Sequence, residues 1–221
     1  MRITYNVVRN TKYTILNTKH MKIFCVGLNY REHIAEMKHF NIPESPVIFM
    51  KPPTALLKNG QPFYYPDFSK DVHYEGEIVL RVCKNGKKID KKFAHKYYDA
   101  FTLGFDFTAR DIQAEQKKKG WPWEIAKGFD GSAFIGDVIA LEKDKVISFT
   151  IKKNNEIVQQ GDTTMLIFSF DEIISYISQF FTLQQGDLIY TGTPQGVGPV
   201  QIGDKLEGFV DDKLLVVCEV K

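Results

Sequence analysis

Three cysteines, Cys25, Cys83 and Cys218, are scattered over 221 residues with no CxxC spacing. An odd, dispersed set excludes a disulfide framework and a cysteine zinc cluster, and it fits a reducing compartment. Long apolar runs are missing too. No stretch approaches the roughly 20 residues of a membrane span, and Ile23 to Leu28 is too short for a secretory leader. Neither sign of charge is in excess: 29 basic against 27 acidic residues leave a formal net charge of +2. That balance gives no electrostatic reason to expect nucleic acid or a membrane surface as a partner. No internal repeat or linker interrupts the chain. What is present is 43 % hydrophobic and 13 % aromatic content, enough to bury one sizeable core.

Acidic residues are absent from residues 1 to 20, which carry Arg2, Arg9, Lys12 and Lys19. That segment reads as an N-terminal extension, or as residues ahead of a true start at Met21, followed by a single domain over 21–221. It is rich in Asn and Thr and lacks Ser, a poor match to an organellar presequence. The cytoplasm is the expected location, with the mitochondrial matrix as the alternative should residues 1 to 20 be a presequence.

From Met21 the patterning predicts many short strands and few helices. Lys22 to Val26 is a compact apolar run, and Asn29 is placed to cap a helix through about Met37 before Pro43 and Pro46. Val47 to Leu57, with Pro52 and Pro53, predicts an extended, turning path. His73 to Val82 alternates as a strand and ends at the Asn85-Gly86 turn. A short helix over Lys91 to Tyr98 and a strand over Ala100 to Phe107 follow, then a polar helix over Thr108 to Lys118. Strands are predicted at Val146 to Lys152 and Glu156 to Gln160. The clearest amphipathic helix is Phe170 to Phe181, with Ile173, Ile174 and Ile177 on one face. A strand over Asp187 to Thr191, a glycine-rich loop over Gly192 to Pro199 and a hairpin, Lys205 to Val210 with Lys213 to Val220, complete an α+β domain, mostly β.

Chemistry gathers in a few places. Glu75 and Glu77 are one residue apart, so on a strand they project from the same face about 7 Å apart, and Gly76 between them admits a close neighbour. Asp106 ends an apolar strand between Phe105 and Phe107, where an uncompensated charge is costly. Three carboxylates without cysteine suit a hard, oxygen-liganded cation such as Mg2+ or Mn2+, although a solvated acidic strand face has the same spacing. His33 and Glu36 stand at i and i+3, where a carboxylate can fix the imidazole tautomer for general-base work; an ordinary surface pair reads alike. Arg110, Gln113 and Lys127 could hold a substrate carboxylate or a developing enolate, while Lys117-Lys118-Lys119 reads most simply as a solvated run. The Gly192 to Pro199 loop matches no nucleotide-binding pattern, but its glycines would let backbone N–H groups and Thr193 approach a small carboxylate.

Five segments in order, GLNYREHIAE, VIFMKPPTAL, VHYEGEIVL, FDFTARDIQAEQKKKGWPWEIAKGFD and GDLIYTGTPQGVGPV, resemble the fumarylacetoacetate hydrolase family, in particular its acylpyruvase and oxaloacetate decarboxylase branch. The resemblance covers about Lys22 to Lys221. It implies a mixed β-sheet roll or distorted barrel with few helices, a homodimer, and Mg2+ or Mn2+ held by Glu75, Glu77 and Asp106. It further implies a small 2-oxo acid substrate. His33 and Glu36 would activate water against C4 of a 2,4-dioxo acid, Lys127, Arg110 and Gln113 would steady the pyruvate enolate, and Thr193 would hold the carboxylate. The helix bearing His33 would act as part of a lid. The same machinery serves oxaloacetate decarboxylation or keto-enol tautomerisation. The alternative is an isomerase or hydrolase of aromatic degradation, of the 2-hydroxyhepta-2,4-diene-1,7-dioate isomerase or fumarylpyruvate hydrolase type; a non-catalytic module with structural Ca2+ is the reading from a different class. The stretch after Lys127 reads short for the branch, and the N-terminal extension has no counterpart in it.

Overall fold

The computed structural model describes residues 21–36, 41–142 and 144–221; the N-terminal extension and the predicted end of the first helix at Met37 lie outside the described residues. Fifteen short strands and five helices are described, a mostly β chain of α+β class. The largest sheet begins with β1 (Ile23–Gly27) and β2 (Val47–Lys51), an antiparallel pair. Helix α1 (Arg31–Glu36) crosses between them. With β3 (Leu56–Lys58), β5 (Gly76–Val82), β6 (Tyr98–Asp106), β8 (Ala133–Ile135) and β12 (Leu188–Tyr190), the order is β2-β1-β12-β5-β6-β8-β3, and β9 (Ile139–Ala140) joins at β6. Two pairs are parallel, β1 with β12 and β3 with β8, so the sheet is mixed. It curls into a half-barrel.

A three-stranded sheet, β13-β4-β7, is built from β4 (Val72–Tyr74), β7 (Thr108–Ala109) and β13 (Gly198–Pro199). A four-stranded one, β11-β10-β14-β15, is built from β10 (Ser148–Lys153), β11 (Glu156–Asp162), β14 (Lys205–Val210) and β15 (Lys213–Glu219). The turns of its two hairpins place Asn154, Asn155, Asp211 and Asp212 at positive φ, the backbone that short Asn and Asp side chains tolerate. Apolar residues of all these sheets, with Ile173, Ile174 and Ile177 of α5 (Phe170–Phe180), form one main core. Ser169 and Glu172 close a capping box at the start of α5, which satisfies two otherwise orphaned backbone donors.

Several expected boundaries move for physical reasons. The strand expected over His73 to Val82 breaks at Glu75, because β4 pairs with β7 and β13 while β5 pairs with β6 and β12. The predicted Lys91 to Tyr98 helix stops at Ala94, and Tyr98 already belongs to β6. Thr108 and Ala109 pair with β4 before the helix begins, so α3 runs Arg110–Lys119. Asn29 does not cap α1 through its side chain; its amide donates to the carbonyls of Thr191 and Phe168 and accepts from the Phe168 N–H, tying three loops together. Helix α2 keeps Lys91–Ala94 of its expected span, while helix α4 (Glu124–Lys127), β8 and β9 carry too few residues for periodicity to announce them.

Candidate active site

Glu75 is the single residue between β4 and β5, at the point where one sheet hands the chain to another. Its carbonyl accepts the Asp106 N–H at 2.9 Å, and β5 pairs with β6 so that Gly76 opposes Phe105 and Glu77 opposes Gly104. Glu75 therefore faces Asp106 across the ladder, and Glu77 lies two residues along the same face, within side-chain reach of both. One oxygen from each of the three carboxylates falls within 4.8 Å of the others, and all three residues are buried. Gly76 admits the close approach of Ile151 and Gln159. A Cβ there would stand 2.6 Å from Ile151 Cγ1 and 2.9 Å from Gln159 Oε1.

Cations meet two of the three acids. Lys127 Nζ donates to Glu75 Oε2 at 2.8 Å and to Asp106 Oδ2 at 2.9 Å. The Arg110 guanidinium donates to Glu75 Oε1 at 2.6 Å and to Gln113 Oε1 at 2.7 Å. Lys127 and Arg110, outweighing the cost of burial, hold the Glu75 carboxyl below the usual range. Lys51 Nζ lies 2.7 Å from Asp106 Oδ1. It approaches off the hydrogen-bonding direction, so that fully buried oxygen has no hydrogen-bond donor among the described residues.

Glu77 is different. Its Oε2 accepts the Gly192 N–H at 2.7 Å, but burial first, and then Asp106 and Glu75, push its carboxyl well above the ordinary value. A buried acid so placed asks for positive charge. Together with an all-carboxylate donor set, this arrangement fits a divalent, oxygen-preferring metal ion. Gly192 reaches Glu77 at a φ of +103°, where a Cβ would meet Asn29 Cβ at 2.8 Å, so the loop needs glycine for both backbone angle and space.

The carboxylates floor a cleft that opens to solvent, walled by His33, Phe49, Arg110, Gln113, Lys117, Trp123, Lys127 and Thr193. His33 is buried, and its Nδ1 lies 3.3 Å from Glu36 Oε2. Burial lowers the His33 pKa below its ordinary value against the opposing pull of Glu75 and Glu36. Glu36 does not line the cleft; both its oxygens also lie 3.4 Å from the Gly196 N–H. Thr193 Oγ1 donates to the Gly76 carbonyl and accepts from Gln159 Nε2 at 2.8 Å, while Gln159 Oε1 accepts the Gly76 N–H. Thus eight of the nine residues singled out from the sequence share one cleft, and Glu36 contacts the eighth of them, His33.

Comparison with known proteins gives the family. The model for the fumarylacetoacetate (FAA) hydrolase C-terminal domain matches residues 22–221. The chain belongs to the fumarylacetoacetate hydrolase family. Within the family it is similar to the mitochondrial oxaloacetate tautomerase FAHD1 of Mus musculus, 40 % identical over 202 residues, covering 90 % of this chain and 91 % of that protein. Its fold is similar to fumarylpyruvate hydrolase from Pseudomonas aeruginosa, solved with Mn2+ and pyruvate, at a TM-score of 0.84 and 35 % identity over 90 % of this chain and 88 % of that one. It is also similar to 2-hydroxyhepta-2,4-diene-1,7-dioate isomerase from Mycobacterium marinum, at a TM-score of 0.77 and 32 % identity over 90 % and 73 % of the two chains.

Two features of this family member escaped the sequence reading. Lys51, 1 % exposed, donates to Ser132 Oγ and to the carbonyls of Ser132, Phe107 and Lys127 as well as pairing with Asp106. A lysine closing the apolar run Val47 to Met50 was the available signal, since Lys is rarely buried unless paired. Lys117, expected as part of a solvated run, is half-buried on the cleft wall, and burial followed by Arg110 lowers its ammonium to about 8. Lys119 of that run pairs along its helix with Glu115.

Proposed function

We propose that this protein is a metal-dependent acylpyruvate hydrolase, cleaving the C3–C4 bond of small 2,4-dioxo acids to pyruvate and a carboxylic acid. Oxaloacetate decarboxylation or keto-enol tautomerisation runs at the same site. The observation that carries this reading is the meeting of Glu75, Glu77 and Asp106 in a cleft faced by His33. Bound Mg2+ or Mn2+ supplies Lewis acidity toward the carboxylate and 2-oxo oxygens of the substrate. Glu75, Glu77 and Asp106 hold the ion. His33, donating through Nδ1–H to Glu36, keeps Nε2 as an acceptor that takes a proton from water as the water attacks C4. The C3–C4 electron pair then passes into the pyruvate fragment, whose developing negative charge faces Lys127 and Arg110, and C3 is protonated as pyruvate forms. Gln113 and Thr193 orient the carboxylate end.

A second reading, an isomerase or hydrolase of larger dioates, is favoured by the likeness to the Pseudomonas and Mycobacterium enzymes. Tautomerase activity is favoured by the name of the mouse relative. The proposed assembly is a homodimer of single-domain chains over 21–221, acting on a small 2-oxo acid without nucleic acid or membrane. No described helix is long and apolar enough to cross a membrane. Of the two compartments, cytoplasm and mitochondrial matrix, the second gains weight from the mitochondrial relatives.

The test is pyruvate release from acetylpyruvate and oxaloacetate, with Mg2+ and with chelator, for wild type and His33→Ala. Metal-dependent cleavage of acetylpyruvate that collapses in His33→Ala supports the hydrolase. Equal turnover in excess chelator would sink it.

A further inference from the structure

Gln159, on β11, is 2 % exposed, while Ile157 on the same strand is 57 % exposed. An amide inside and an isoleucine outside inverts the usual preference. The backbone supplies the reason. Ile151 faces Gln159 and Lys152 faces Ile157, so Val158 is an extra residue, a bulge that turns the faces of the strand over. A buried amide is costly unless its groups are paired, and this one is paired at both ends. Its Oε1 accepts the Gly76 N–H at 2.9 Å, and its Nε2 donates to Thr193 Oγ1 at 2.8 Å and to the Pro194 carbonyl at 3.0 Å. Those partners fix which end is oxygen, since the flipped amide would set donor against donor at Gly76. Thr193 in turn gives its one hydroxyl hydrogen to the Gly76 carbonyl at 3.0 Å. The Gly76 N–H belongs to the peptide that joins it to Glu75, and the Gly76 carbonyl to the peptide that joins it to Glu77. Strand β12, which pairs with β5 from Val79 to Arg81, has left the ladder before Gly76. Two side chains, Gln159 and Thr193, thus take the place of the missing strand, and of the two only Thr193 lines the cleft.

We propose that Gln159 is a positioning residue for the metal centre: its amide and the Thr193 hydroxyl hold the two peptides that set Glu75 and Glu77 at their spacing. The residue acts through that ring of hydrogen bonds and reaches neither ion nor substrate. The inference rests on the proposed function only for Glu75, Glu77 and Asp106 as metal ligands, and on no choice among the reactions.

Calorimetric titration with Mn2+ tests it without turnover. Gln159→Met keeps an unbranched side chain and removes both ends of the amide; the folded variant is expected to bind Mn2+ about tenfold more weakly than wild type. Thr193→Val, which leaves all three carboxylates in place, is expected to lose about threefold, and Thr193→Ser, which keeps the hydroxyl, to bind as wild type does. Because the two side chains act as one ring, the double variant Gln159→Met/Thr193→Val should bind no more weakly than Gln159→Met alone, whereas independent losses multiply. Gln160→Met, at the exposed neighbour, should keep the wild-type affinity. The inference is overturned if Gln159→Met binds Mn2+ like wild type, if the two losses multiply in full, or if Gln160→Met loses as much. Should Gln159→Met fail to fold, Thr193→Val against Thr193→Ser decides, and equal affinities overturn the inference. A wild type that binds no Mn2+ overturns the metal reading itself. A wild type that binds Mn2+ about tenfold better than Gln159→Met, yet releases no pyruvate from acetylpyruvate or oxaloacetate, overturns the proposed function and leaves this inference standing.

Discussion

The ammonium of Lys51 lies 2.7 Å from Asp106 Oδ1, with both side chains essentially sealed from solvent. The same ammonium gathers the carbonyls of Phe107, Lys127 and Ser132, so it ties the ends of β2, β6 and α4 beneath the cleft. Removing it leaves several buried acceptors without their donor and Asp106 with Lys127 as its one remaining cation among the described residues, a change that costs about 3–5 kcal/mol. Lys51→Met should therefore lower the melting temperature by roughly 10 °C, as read by scanning calorimetry. A loss of only 1–2 °C would mean that Lys51 is dispensable to the scaffold.

Glu77 carries the metal argument. Its carboxyl is pushed up by burial and by Asp106 and Glu75, so a neutral isostere relieves the metal-free protein. Glu77→Gln should match or exceed wild-type stability in chelator while losing the stabilisation by Mn2+, which for wild type reaches about 2.7 kcal/mol at a hundredfold excess over Kd. Thermal shift with and without Mn2+ reads both arms; a variant that keeps the full Mn2+ shift would remove Glu77 from the ligand set.

The pH dependence of hydrolysis should report His33. Burial lowers its pKa, so the neutral base persists below pH 6.5 and the acid limb of kcat/KM falls under the ordinary histidine value. For stability the sign is the same: the neutral form is favoured by folding, and that contribution, present above the unfolded pKa, is lost as pH falls through the folded one. His33→Ala should reduce acetylpyruvate hydrolysis by about 10²–10⁴-fold and abolish that limb. An unchanged profile in the variant would assign the proton to another group.

Away from the cleft, Glu172 offers a purely structural check. Hydrogen bonds from the Lys91 side chain and from the backbone and hydroxyl of Ser169 lower its carboxyl to about 2. The stability it gives is present above the ordinary carboxylate value of about 4.3 and is lost as pH falls toward 2. Because the group is mostly exposed, screening keeps the effect under about 1 kcal/mol. Urea denaturation between pH 5 and 3 should show a flatter decline for Glu172→Gln than for wild type, and parallel declines would dismiss the capping box as a source of acid sensitivity.

Gly192→Ala should damage the site without touching its carboxylates. The residue holds a φ of +103°, and a Cβ would strike Asn29, so the loop must shift and Glu77 loses its N–H partner. We expect Mn2+ affinity to fall by about tenfold, or 1.4 kcal/mol, as measured by calorimetry; unaltered affinity would show that the loop adapts.

Much of this was legible in the chain itself. The alternation around Glu75 and Glu77, the acid at the end of an apolar strand at Asp106, and the i, i+3 pairing of His33 with Glu36 are local signals, and their spacing survives in the folded protein. The apolar face of Phe170–Phe180 likewise follows from a 3.6-residue period that no distant contact needs to supply. What local pattern could not state is which residues meet from far apart. Lys51 is 55 positions from Asp106, and nothing near it in the chain says that an ammonium ending one strand will neutralise an acid ending another. The break at Glu75 was equally invisible, because a strand is divided by the sheets that recruit its two halves. Lys117 read as one of three solvated lysines until the turn of α3 aimed it at the cleft while its two neighbours stayed outside. The sequence by itself determined the chemistry and the longer periodic elements; the tertiary structure decided where strands divide and which charges share a desolvated space, where pairing and burial set their behaviour.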